Sequence, residues 1–175
     1  MVRRGTGRDG MYRRILLAYD GSLEGAIALR EGALLARQCK ARVFILSVIP
    51  ETAGVRTAES LHAGVVTEQT RSYKETLVRG VARLKKLGLE PVAKLVVGEP
   101  AVAIGAFARE IEADLVVLGH RRQSLLQRWW SGASGAYVSD HIRCSLLISR
   151  NMISDEVFEQ ALASGAEPSS GRNAS

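Results

Sequence analysis

Residues 113–137 read ADLVVLGHRRQSLLQRWWSGASGAY, and the fold turns on how the first seven of them are taken. The run 115–118, Leu-Val-Val-Leu, is short, rich in branched residues and bounded by Asp114 and Gly119. That predicts a strand buried on both faces, the kind found in parallel sheets covered by helices on either side. Beyond Gly119 the chain turns polar and basic, carries Trp129 and Trp130, and then runs through the small residues 131–135 into a helix expected over 136–142. Small residues ahead of a helix let backbone N–H groups come close to a ligand, and the helix dipole favours an anion there. The residues alone therefore point to a phosphate or carboxylate site.

Similar units recur along the chain. Residues 15–19, Ile-Leu-Leu-Ala-Tyr, form a buried strand followed by the turn Asp20-Gly21-Ser22, where Asp20 or Ser22 caps a helix starting near Leu23. Leu23, Ile27 and Leu34 keep helical spacing to about Cys39. A second strand, 43–49, stops at Pro50, and residues 50–64 read as a long connection. Tyr73, Leu77, Val81 and Leu84 place a helix over 65–87, ended by Gly88. A third strand, 91–97, leads through Gly98-Glu99-Pro100 into a helix with proline in its first turn and Ile104, Phe107, Ala108 and Ile111 on one face. Residues 144–149 make a fifth strand.

Five strands alternating with four helices predict an α/β fold: a doubly wound, Rossmann-like, five-stranded parallel sheet with helices on both faces. Ligands of such sheets bind outside the carboxyl ends of the strands, where the strand order reverses. That rule brings Tyr19-Asp20 and Leu118-Gly119 to one crevice.

A chain of 175 residues, 46% hydrophobic and 24% charged, suits one well-buried domain with tails. The expected division is a disordered arm at 1–11, a domain at 12–150, and an acidic tail at 151–175 that is partly helical, over 154–163, or disordered. The net charge of +6 is concentrated: residues 1–14 hold five arginines against one aspartate, so four of the six charges lie there. A nearly balanced domain argues against a nucleic-acid groove as its defining feature. Cys39 and Cys144 have no metal-ligand spacing and read as buried small apolar residues in a reducing compartment, and the three histidines fit no zinc pattern. No apolar run approaches the ~20 residues of a membrane span, and the N-terminal arginines have no apolar stretch behind them. A cytoplasmic location is the expectation.

Taken in order, ILLAYDGS at the first strand, Ser47-Val48-Ile49-Pro50, Gly98-Glu99-Pro100, 113–119 and 144–148 resemble the universal stress protein family across residues 12–150. In the nucleotide-binding branch of that family the fourth strand is followed by glycine, two residues, glycine, nine residues, glycine, and serine or threonine. Gly119 and Gly132 stand at the first and third glycine positions; Arg122 replaces the second glycine and Ala133 the hydroxyl residue. The resemblance implies that Ala18, Tyr19, Asp20, Val48 and Leu118 border adenine and ribose. Gly119, Arg121, Arg122, Gly132, Ala133, Ser134 and Gly135 would surround the phosphates, with the arginines, including Arg128, supplying charge. The implied ligand is ATP or another adenine nucleotide, with or without Mg, held as a regulatory ligand in a stress-response protein. A homodimer through 144–149 is implied as well, since an edge strand must be paired or protected.

Each residue also has a plainer reading. Asp20 is as good a turn and cap residue as a ligand contact. Trp129-Trp130 read first as an anchor or interface, and Arg121-Arg122 can be a solvated pair. No general base, nucleophile pair or Walker lysine motif stands out, so binding is expected, with at most slow ATP hydrolysis. With Arg122 and Ala133 closing the pocket, the alternative is a nucleotide-free dimer of the same fold that acts as a protein interaction module.

Overall fold

A computed structural model describes residues 10–50, 63–119, 138–150, 156, 158 and 160. The strands are β1 (Arg14–Ala18), β2 (Arg42–Pro50), β3 (Val92–Gly98), β4 (Leu115–Gly119) and β5 (Ser145–Ser149). Between them run α1 (Leu23–Cys39), α2 (Ala63–Lys86), α3 (Pro100–Glu110) and α4 (Val138–His141). The sheet has the order β3-β2-β1-β4-β5 and every pairing is parallel, which is the doubly wound arrangement the alternation of elements predicts.

Side chains of a strand alternate between faces, and here both faces are covered. Ile15, Leu17, Val43, Ile45, Leu115 and Val117 pack with the buried residues of α1 and α2. Their neighbours Leu16, Phe44, Leu46, Val116 and Leu118 pack with those of α3 and with Val138 of α4. Ile15, Leu16, Ile45, Leu46, Val116 and Val117 are wholly buried, which is why the strands read as unbroken apolar runs.

The helix ends follow local chemistry. Ser22 caps α1, its Oγ accepting from the Gly25 N–H, and Glu24 lies in the first turn where the dipole favours a negative charge. Gly88 takes φ +76 just after α2, the left-handed conformation of a C-cap. Pro100 opens α3, where the Glu99 side chain accepts from the Val102 N–H at 2.8 Å. At the opposite end of the sheet from the Ser22 and Pro100 caps, the Asp114 carboxylate accepts from the backbone N–H groups of Arg13 and Arg14 and ties the entry of β1 to that of β4.

Element boundaries move by one or two residues from the expected ones, as ends usually do. β3 begins at Val92, β5 at Ser145, and α2 starts at Ala63, inside the expected connection. Within the expected tail helix, Glu156, Phe158 and Gln160 are helical. Both cysteines are free and half-buried, not fully buried as the composition suggested.

Candidate functional site

The strand order reverses between β1 and β4: the chain leaves β1 through α1 over one face and reaches β4 through α3 over the other. The two connections diverge there and leave a crevice over the carboxyl ends of the strands.

The first wall is the end of β1. The Tyr19 N–H donates to the Leu46 carbonyl at 2.9 Å, the last rung of that ladder. The next carbonyl, that of Tyr19, accepts from Ser47 Oγ at 2.6 Å. Ser47 is wholly buried, and its hydroxyl pins the point where the backbone leaves the sheet. Gly21 then takes φ +82, a left-handed conformation that glycine adopts at little cost. Asp20 Oδ1 accepts from the Ser22 N–H at 2.9 Å and from Ser22 Oγ, so the carboxylate orients the hydroxyl that caps α1. The turn-and-cap reading of Asp20 is thus realised at the rim of the crevice.

The second wall is β2, which outruns β1. Among the strands, residues 47–50 pair with β3 alone, whereas 42–46 pair with β1. In a parallel ladder one residue directs both its N–H and its C=O to the same neighbour, and the direction alternates along the strand. Leu46 faces β1, so Val48, two residues on, turns its N–H and C=O to the same side, above the end of β1. The third wall is Gly119 at the end of β4. A Cβ there would stand 2.4 Å from the carbonyl carbon of Glu24 and 2.7 Å from the nitrogen of Gly25. Glycine at 119 is what lets the first turn of α1 close against β4. From β2 to β4 the crevice spans two strand spacings, roughly 10 Å.

The crevice therefore gathers the backbone of Ala18, Tyr19, Asp20, Val48 and Gly119. Of the residues expected to border a ligand, three have side chains packed in the core. Tyr19, 4% exposed, lies on the face of α1 and α2. Val48 and Leu118 belong to the cluster under α3. Arg121, Arg122, Gly132, Ala133, Ser134 and Gly135, together with Arg128, Trp129 and Trp130, lie outside the described residues. Ser47 was not among the predicted site residues; its signal was a lone hydroxyl inside Phe-Ile-Leu-Ser-Val-Ile.

The arrangement offers one donor and one acceptor from Val48 for the edge of a flat polar ring, and the positive end of α1 on the opposite wall. Near the amino end of β5, burial pushes the Cys144 thiol up from its ordinary value and the Asp114 charge adds to this, so the thiol stays protonated at neutral pH. Among the described residues no cluster of three or more metal-ligating side chains occurs, and no helix is long and apolar enough to cross a membrane.

Residues 11–150 match the model of the universal stress protein family. A protein of Staphylococcus haemolyticus named as a universal stress protein is 27% identical over 157 residues, covering 87% of this chain and 93% of its own. The crystal structure of a universal stress protein family member from Burkholderia pseudomallei is 27% identical with a TM-score of 0.63, covering 85% of this chain and all of its own. The structure of the Archaeoglobus fulgidus universal stress protein in complex with dAMP is 26% identical with a TM-score of 0.58, covering 80% of this chain and 99% of its own.

Proposed function

Because the chain belongs to the universal stress protein family, we propose that it binds an adenine nucleotide as a regulatory ligand, with the base in the crevice between Val48 and Gly119. The observation that carries this reading is the backbone pair of Val48 beyond the end of β1. The pairing edge of adenine has one donor, the exocyclic amine, beside one acceptor, a ring nitrogen. It matches a single C=O and N–H; guanine reverses the order and would set donor against donor. The dAMP complex of the Archaeoglobus fulgidus relative supports the same ligand class.

Toward such a ligand this chain's residues act by position. Ser47 and Asp20 hold the β1–α1 turn, Gly119 admits the first turn of α1, and the phosphates fall to Arg121, Arg122 and the backbone of 132–135. ATP, with or without Mg, is the nucleotide we assign, and binding rather than turnover is the activity. The reading includes a cytoplasmic location. It also includes a homodimer through residues 144–149, supported by β5 lying at the sheet edge with Leu146, Leu147 and Ile148 only half-buried. Light scattering is expected to give twice the chain mass; a strict monomer would remove the dimer from the account.

Calorimetric titration of nucleotide-stripped protein with AMP, ATP, Mg-ATP and GTP tests the ligand. Adenine nucleotides are expected to bind at least about tenfold more tightly than GTP, the discrimination that about 1.4 kcal/mol of mismatched pairing gives. Arg122 and Ala133 favour a second reading, the nucleotide-free interaction module, and a folded protein that binds none of the four is the result it predicts.

A further inference from the structure

On the face of α1 and α2 lies a groove of about 460 Å³ with an apolar floor that includes Ile27, Leu84 and Leu87 and a basic rim of Arg30, Arg83 and Lys86. Part of its wall comes from the C-terminal segment of the same chain. Phe158 lines the groove, is 7% exposed, and has the Arg30 guanidinium 5.0 Å from its ring centroid. Glu156 and Gln160, its helical neighbours on either side, are exposed, so the segment turns one face to the body and its polar face to water. In sequence the segment is acidic, with Asp155, Glu156 and Glu159 around Phe158, opposite in sign to the rim.

We propose that Phe158 is the anchor of a strap: its side chain, seated in cis against α1 and α2, braces the start of α1. The groove extends to Leu23, the first residue of α1, and that first turn is the part of α1 packed against Gly119. Arg83, on the rim, also lies 3.5 Å from the hydroxyl of Tyr19, whose carbonyl is held by Ser47. Phe158 therefore bears on elements that shape the crevice.

Hydrogen exchange on the full-length protein tests the strap independently of any nucleotide. In Phe158→Ala the amides of the first two turns of α1 are expected to exchange on the order of tenfold faster, the factor equivalent to losing the burial of one phenyl side chain. Strand amides in β1 and β4 keep their wild-type rates, and Phe158→Leu stays close to wild type. Unchanged exchange in α1 of Phe158→Ala would overturn the proposal. Acceleration spreading equally through β1 and β4 would also overturn it, because the segment would then be part of the core. So would α1 protection that falls when the wild-type protein is diluted, since the strap would then come from a second copy.

Discussion

Replacing Gly119 with alanine is expected to destabilise the protein by about 3 kcal/mol or more and to lower its melting temperature by roughly 6–12 °C. Gly119 does not have a positive φ, so the cost is one of space. The added methyl carbon would stand 2.4 Å from the Glu24 carbonyl carbon and 2.7 Å from the Gly25 nitrogen, and both are backbone atoms in the first turn of α1. A side chain could rotate away; a helix start cannot, so α1 must lift from β4 and carry the Ser22 cap and the Asp20 turn with it. Gly32→Ala is the comparison. There the nearest atom is the Cδ2 methyl of Leu17 at 2.3 Å, the end of a flexible side chain, and the expected loss is smaller. Thermal unfolding followed by circular dichroism reads both. Because the displaced turn is one wall of the crevice, Gly119→Ala should also weaken adenine nucleotide binding at temperatures where it is fully folded.

Leu118→Ala is expected to cost about 2–5 kcal/mol while leaving nucleotide affinity of the folded protein close to wild type. Leu118 is 2% exposed and packs with Leu16, Leu46, Val116 and the buried residues of α3. Truncation leaves a cavity walled by strands that cannot collapse, and the crevice above, built from backbone, is not redrawn. Denaturant unfolding paired with calorimetry separates the two effects. A large loss of affinity with little loss of stability would assign Leu118 to the ligand and contradict its placement in the core. The two adjacent substitutions thus divide one segment into a position that shapes the site and one that supports it.

The fold was legible because buried parallel strands leave a simple trace: 15–19, 43–49 and 115–118 are apolar runs with no polar alternation, separated by segments of helical period. The caps at Ser22, Gly88 and Pro100 were legible for the same local reason. Side-chain direction at the site was harder. Tyr19 shares the parity of Ile15 and Leu17, and the period of two sends it to the face of α1 and α2, away from the crevice. Strand parity carried that information; reading the residue by its position at the strand end passed over it. The demand for glycine at 119 comes from Glu24 and Gly25, nearly a hundred residues away in the chain, a contact that no local pattern encodes. Ser47 acts through the carbonyl of Tyr19 on the neighbouring strand, so its role required the register. Likewise the groove that receives Phe158 exists only once α1 and α2 are side by side. Charge was informative chiefly when divided, since four of the six excess charges sit in residues 1–14.

The account stands most directly on the backbone of Val48 as the reader of the base. The measurement is the amide resonance of Val48 in a two-dimensional nitrogen–proton spectrum of the isotopically labelled protein during titration with AMP and, separately, GMP. AMP is expected to move the Val48 amide resonance among the largest shifts in the spectrum, together with those of Asp20 and Gly119, and GMP at the same concentration is expected to leave it in place. Saturable AMP binding that leaves Val48 unmoved, or equal responses to the two nucleotides, would contradict the proposed site.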